Sequence, residues 1–247
     1  MDYHLAGFPE HGNTKPILDS FKYSIKNNDR ESCGIFVLDN FNLSFIPLEN
    51  KFLKHSNYFL ADSEIFSKHL INKKIFCLFH SHTIDSVEPS NLDIEVSQSL
   101  CLPSYIFSTS SRDTYLYFPD NYNASDLYGR QFISHLQDCV SFFKDFYFKE
   151  LNINLLDKYR NWGRKRFGSN EYLISSLELH FNEIQTEDIQ YGDLIIFDPT
   201  ITEFFHLGVY SKNQKLAHHP YGMLSTEELI TDQTWNQVYK VYRYKEK

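Results

Sequence analysis

The spacing of apolar residues changes several times along the chain, and each change marks an element. Over residues 16–27, Ile17, Leu18, Phe21 and Ile25 recur at helical spacing, with Pro16 at a tolerated early position. Residues 32–38 read as a strand ending at Asp39-Asn40, and residues 45–48 as a second ending at Glu49-Asn50. Residues 62–72 predict a helix. Residues 74–80 carry the run Ile75-Phe76-Cys77-Leu78-Phe79, the mark of a central strand buried on both faces. Pro89-Ser90 then opens a helix through Leu100, with Ser90 as N-cap and Asp93 in the first turn. Residues 105–108 and 114–118 add two strands.

The polar run from Pro119 to Asp126 has turn chemistry and no periodicity, so it predicts a boundary. The expected domains are 1–119 and 127–247, joined by a linker at 120–126. Beyond it, Val140, Phe143, Phe146 and Tyr147 recur at helical spacing from Cys139 to about Glu150, with Asp138 as N-cap. Residues 169–181 predict another helix, capped by Ser169. A tight turn at 188–193 leads into a strand at 194–197. Residues 206–210 form a strand starting at His206, Ser211-Lys212-Asn213-Gln214 a hairpin turn, 215–219 its return, and 238–244 a last strand. The pattern is that of an α+β chain of two domains.

Composition changes this picture little. Of 247 residues 42% are apolar and 17% aromatic, with 22 Phe and 17 Tyr, enough for packed, strand-rich cores. The net charge of -8 argues against a nucleic-acid binder, which needs a basic surface. The basic cluster at 160–166 reads as a solvated loop or helix end. Four cysteines, none in a C-x-x-C pair, exclude a zinc ribbon or thioredoxin motif. Cys33, Cys77 and Cys101 sit among apolar residues and read as small buried hydrophobes. No apolar run approaches a membrane span. The N-terminus lacks a basic region followed by an apolar one. Synthesis in a cytoplasm is expected, and any extracellular target would be reached by a carrier.

Two stretches carry chemistry. The first is His80-Ser81-His82, followed by Ser90-x-x-Asp93, with Glu31-Ser32-Cys33-Gly34 upstream. Two histidines one residue apart at a strand end can face one metal, and an aspartate from the next helix can close the set. Ligands of N, N and O type that leave a fourth position open make a catalytic zinc arrangement. Glu31 is then the acid/base for the activated water, and Ser90 steadies the substrate oxygen or the Asp93 loop. This stretch resembles the JAMM metalloprotease signature, a distant Glu and then H-[ST]-H-x7-S-x2-D, except that Thr83 stands where the family usually has proline. The resemblance implies zinc held by His80, His82 and Asp93, Glu31 as general acid/base, and an α/β sandwich with a mixed sheet.

The second stretch begins at Asp138-Cys139. A cysteine in the first turn of a helix meets unpaired N–H groups and a dipole that stabilise its thiolate. Such a nucleophile needs a base and an orienting group, and His206 and His218, twelve residues apart across a hairpin, are placed as cross-strand neighbours. Asp138-Cys139, Tyr191-Gly192-Asp193-Leu194, His206-x-Gly208-Val209-Tyr210 and His218 together resemble the NlpC-type cysteine peptidases, papain-like enzymes that cut cell-wall peptides. The resemblance implies Cys139 as nucleophile, His206 as base, His218 or its neighbour His219 as third member, and Tyr128 on the oxyanion side. It also implies a helix bearing the cysteine packed on an antiparallel sheet. The usual D-C-S-G is Asp138-Cys139-Val140-Ser141 here.

A JAMM-like half followed by an NlpC-type half resembles the tail assembly (tail tip protein K) family of lambda-like phages. That implies a virion tail-tip peptidase acting on peptidoglycan stem peptides, through the D-Glu–diamino acid bond, with other tail-tip proteins as partners. Two other readings remain open: a structural tail-tip protein with vestigial sites, and a zinc isopeptidase acting on a ubiquitin-like modifier.

Overall fold

In a computed structural model, the described residues are 14–39, 42–51, 63–72, 75–120, 122, 126–133, 136–155, 174, 175, 177–198 and 206–245. They fall into two compact units that divide between residues 123 and 124. Most of the predicted 120–126 linker, the basic cluster 160–166 and the Ser169 cap lie outside the described residues.

The first unit is built on a five-stranded sheet, ordered β2-β1-β3-β4-β5. Its strands are β1 (Cys33–Asp39), β2 (Asn42–Leu48), β3 (Ile75–His82), β4 (Ser104–Ser108) and β5 (Thr114–Tyr117). All neighbours run antiparallel except β3 and β4, which are parallel, so the sheet is mixed. Helix α3 (Asn91–Leu100) makes the crossover between those two strands, as a parallel pair requires. The pleat sorts side chains by face. Phe36, Phe45, Phe79 and Tyr105 meet on one, where Phe21 of α1 (Thr14–Lys26) stacks on Phe107 at 4.4 Å. Cys33, Ile35, Val37 and Ile75 cluster with Leu78 and with Phe66 of α2 (Ser63–Ile71).

The second unit is built on a six-stranded antiparallel sheet, ordered β10-β9-β8-β7-β11-β6. Its strands are β6 (Phe181–Ile184), β7 (Leu194–Phe197), β8 (Leu207–Ser211), β9 (Lys215–His218), β10 (Thr226–Leu229) and β11 (Val238–Tyr244). Helix α4 (Cys139–Leu151) packs on β8 and β9. Phe142, Phe143, Phe146 and Tyr147 are buried there against Leu194, Ile196, Leu207, Val209 and Ala217. A short helix α5 (Asp232–Trp235) lies between β10 and β11. The Tyr191-Gly192-Asp193 turn is a structural joint. Gly192 has φ 91, and Tyr147 donates a hydrogen bond to its carbonyl. Buried Asp193 accepts the Gln190 N–H and pairs with Arg243 at 2.7 Å.

Three expectations are corrected. The helix expected over 169–181 does not reach its end: residues 174, 175 and 177 are helical, a turn follows, and Phe181 starts β6, where it enters the core beside Tyr147. Tertiary burial of an aromatic overrides the local helical spacing there. Cys101 is exposed, because it ends α3 in the left-handed conformation at φ 54. His206 precedes β8 rather than starting it.

A Cβ at Gly34 would come within 2.5 Å of Phe45 Cε2 and 2.8 Å of the Ile46 carbonyl. Gly34→Ala is therefore expected to destabilise the protein by about 1–3 kcal/mol through overpacking, read as a lower urea midpoint.

Candidate active sites

The first site lies at the end of β3. His80 and His82 are two residues apart, so both side chains leave the same face of the sheet. The β1–β3 ladder pairs Cys33 with His80. Beyond it, the Ser32 N–H donates to Ser81 Oγ and the Ser81 N–H to the Ser32 carbonyl, both at 2.9 Å. These bonds carry the register one step further and bring Glu31 alongside His82. Asn50 pins the Glu31 carbonyl at 2.7 Å.

Asp93 comes from the first turn of α3. Ser90 caps that helix, and Asp93 Oδ2 accepts from both the Ser90 N–H at 2.8 Å and its hydroxyl at 2.7 Å. Ser90 thus steadies Asp93, the second of its two expected roles. Asp93 Oδ1 lies 3.2 Å from His80 Nε2, and Oδ2 lies 3.7 Å from His82 Nε2. The two imidazole Nε2 atoms are 3.1 Å apart, and one ligand atom from each of the three residues falls within 4.8 Å of the others. His82 Nδ1 is 2.9 Å from the Ser86 carbonyl. Only a protonated Nδ1 can face a carbonyl, so in the protonated ring Nε2 donates to Asp93, and in the neutral ring Nε2 carries the lone pair that a cation would take. All three side chains are buried.

The electrostatics suit a cation. For Asp93, burial opposes ionisation, but the hydrogen bonds from His80, His82 and Ser90 hold its carboxyl well below the usual range. Burial also disfavours a charged His82, yet Asp93, the Ser86 carbonyl and Glu31 together raise it. Burial pushes Glu31 up to about 7, against the opposing charge of His82. A carboxyl poised there exchanges protons readily near neutral pH.

The second site is arranged around α4. Asp138 Oδ1 accepts the N–H groups of Val140 at 3.0 Å and Ser141 at 3.1 Å, and Ser141 Oγ accepts the Asp138 N–H at 2.7 Å. This reciprocal cap accounts for Ser141 in the departure from D-C-S-G. Cys139 is the first helical residue, buried in one cluster with Leu207, Val209 and Ala217. Leu207 follows His206 in the chain and Ala217 precedes His218.

His206 Nε2 lies 2.8 Å from His218 Nδ1. The hairpin ladder sets Gly208 directly opposite His218. A Cβ on Gly208 would be 2.9 Å from His218 Cβ and 2.6 Å from Leu216 Cδ1, so the missing side chain leaves room for the His218 and Leu216 side chains. Burial, with the nearby charges of His218 and His219, pushes His206 down to about 3. Burial and His219 push His218 down to about 4. Of the two candidates for third member, His218 is the one brought to His206. His219 packs edge-on against Phe132 at 5.2 Å and faces Phe142 at 6.3 Å. Tyr128 is exposed, with its ring 6.1 Å from that of Phe142 and its hydroxyl 3.5 Å from Glu227 Oε1. Burial and the charge of Glu227 push its phenol up to about 12. Sequence reasoning missed β10, a polar strand without clear alternation, and with it Glu228, whose Oε1 lies 3.2 Å from His218 Nε2.

Residues 127–244 match the model of the NlpC/P60 family. Over 220 residues the chain is 25% identical to tail tip assembly protein K of Escherichia phage N15, covering 88% of this chain and 89% of that one. Among solved structures it is similar to protein DSY2949 from Desulfitobacterium hafniense, with 19% identity, a TM-score of 0.33, and coverage of 44% of this chain and 84% of that one. The chain is thus similar over most of its length to tail tip assembly protein K of phage N15, and its residues 127–244 match the NlpC/P60 family.

Proposed function

We propose that this protein is a tail-tip peptidase of a virion, that its second unit cleaves stem peptides of bacterial peptidoglycan through Cys139, and that its first unit is a JAMM-like zinc hydrolase. One observation carries the reading most. The NlpC/P60 match spans a capped helix that starts at Cys139 and packs on the hairpin where His206 and His218 meet at 2.8 Å. A related tail tip assembly protein supports the setting, with other tail proteins as partners.

In the proposed reaction His206 takes the Cys139 proton, and the thiolate attacks a peptide carbonyl, taken as that of the D-Glu–diamino acid bond. The start of α4 stabilises the thiolate. Asp138 already engages the Val140 and Ser141 N–H groups, so the backbone donor for the oxyanion falls to Cys139 itself. Tyr128 stays protonated and able to donate on that side. The leaving amine recovers the proton from His206, and water releases the acyl group.

In the first unit, His80, His82 and Asp93 fit zinc by donor type, burial and convergence. Zinc would supply Lewis acidity to a substrate carbonyl and to water. Glu31 would move protons beside it, and Ser90 would hold Asp93 in place.

Purified sacculi and defined muropeptides, with products read by mass spectrometry, test the second unit. Cys139→Ala is expected to lower product at least 1000-fold, while Glu31→Ala leaves it unchanged, on the scale expected for removing a nucleophile. Product that persists in Cys139→Ala would sink the nucleophile assignment, and no product from wild type would move the reading to a structural tail-tip role. For the first unit, calorimetry should show one zinc per chain, with affinity falling at least 100-fold in His80→Ala. Unchanged zinc binding there would sink the ligand assignment.

The buried histidines also set a pH limit. An unfolded histidine takes up its proton near pH 6.5, whereas folded His206 and His218 do so near 3 and 4. Between those values the unfolded chain binds more protons, so stability is full above about pH 6.5 and is lost as the pH falls toward 4. The expected slope is roughly 1 kcal/mol per pH unit for each histidine that stays neutral. Urea midpoints between pH 7 and 5 would measure it, and a flat profile would contradict the burial of the pair.

A further inference from the structure

We propose that Glu228 is a positioning residue of the second site, the end of a chain Cys139–His206–His218–Glu228 that sets the tautomer of both histidines. The proposal rests on the reading of Cys139 as nucleophile and His206 as its base. A neutral imidazole holds one proton on two nitrogens, so two imidazoles in contact can share their hydrogen bond in either direction. If His218 Nδ1 carries the proton, it donates to His206 Nε2, and His206 must then hold its own proton on Nδ1. No lone pair would remain there for a thiol proton. If the direction is reversed, His206 donates through Nε2 and its Nδ1 is a free base. The 2.8 Å contact between His206 Nε2 and His218 Nδ1 fits both arrangements.

An ionised carboxylate removes the ambiguity, because it can only accept. Glu228 lies on β10, two residues beyond Thr226, which pairs with His218 in the ladder. The pleat therefore turns Glu228 to the same face as His218. Its Oε1 is 3.2 Å from His218 Nε2. That nitrogen is buried and makes no well-aligned hydrogen bond as it stands. The Glu228 side chain is 55% exposed. It can swing the short distance needed to close the bond. With Nε2–H of His218 donated to Glu228, His218 Nδ1 must be an acceptor. His206 Nε2–H donates to it, and His206 Nδ1 carries the lone pair. When the thiol reacts, the S–H bond breaks and an N–H bond forms at His206 Nδ1, and the carboxylate offsets part of the charge that appears on the histidine pair. Among the described residues, the other charged or titratable groups acting on the pair are His219 beside it and, on His219 in turn, Asp138 and Arg130.

The test is the tautomeric state itself, read from two-bond proton–nitrogen spectra of the full chain with labelled histidine, alongside the rate of Cys139 alkylation by iodoacetamide at pH 7. Wild type is expected to show both His206 and His218 protonated on Nε2. Glu228→Ala should bring in the Nδ1-protonated form of His206 and slow alkylation about tenfold, as expected when one orienting partner is lost. Glu228→Gln should keep the wild-type tautomers and most of the rate, because its amide oxygen accepts the same N–H. Unchanged tautomers in Glu228→Ala would overturn the proposal, as would a glutamine variant as impaired as the alanine one. Neither result depends on cleavage. If Cys139→Ala still cuts muropeptides, the reading of the nucleophile fails instead, and the tautomers report on Glu228 alone.

Discussion

Successive side chains of a β-strand leave opposite faces, and both candidate sites depend on that two-residue period. In the first unit it sends His80 and His82 to the face that carries Leu78, where α3 delivers Asp93. A one-residue slip of β3 against β1 would turn both rings into the aromatic layer of Phe36 and Tyr105 and turn Phe79 out of it. The reciprocal bonds of Ser32 and Ser81 fix the register where it matters most, next to Glu31. In the second unit the same period sets Gly208 opposite His218, with His206 two residues earlier. Glycine does related work in both sheets. Gly34 leaves room for the Phe45 ring and Gly208 for the His218 and Leu216 side chains.

Helix starts do the rest. Asp93 is both the third residue of a capping box and a candidate ligand, and the roles divide between its oxygens. Oδ2 takes the two Ser90 donors, while Oδ1 is left toward His80. Asp138 plays the corresponding part for α4 without touching the chemistry directly. By engaging Val140 and Ser141, it fixes where the first turn begins and so where Cys139 stands. In each case a local bond between residues three apart places a group whose partners lie far away in sequence. Local order of this kind costs little conformational entropy to form, which suits a position that must be accurate.

That locality explains what was legible. Caps, strands with alternating or continuous apolar runs, and the H-S-H and H-x-G patterns are written in neighbouring residues, so Ser90, Asp138, β3, β7 and β11 could be read directly. Phe181 could not, because its place in a strand depends on Tyr147 and Tyr244, far off in the chain. Cys101 looked buried from its apolar neighbours, yet a helix end in the left-handed conformation turns it outward. Strand β10, Thr-Glu-Glu-Leu, carries almost no apolar signal, since it lies at a sheet edge and its glutamates meet partners on β9. The choice between His218 and His219 also needed three dimensions. Adjacent residues in a chain differ by half a pleat, and only the ladder shows which ring reaches His206.

The two sites solve opposite electrostatic problems with overlapping residue types. The first gathers charge: Asp93 is held ionised by the groups around it, and His82 is drawn toward its protonated form by the same carboxylates. Under the proposed reading, a zinc ion would take the place of the shared protons there. The second excludes charge: burial disfavours the charged form of both His206 and His218, and His218 makes protonation of His206 harder still. A base kept neutral in this way has a lone pair available at physiological pH, but its driving force to take a proton is weak. A helix N-terminus that favours the thiolate partly offsets that weakness. A carboxylate at the edge of the pair, 3.2 Å from His218 Nε2 and largely exposed, is placed to offset a further part of it as proposed above. The position of Glu228, two pleats along the edge strand and outside the buried cluster, gives it both that contact and that exposure.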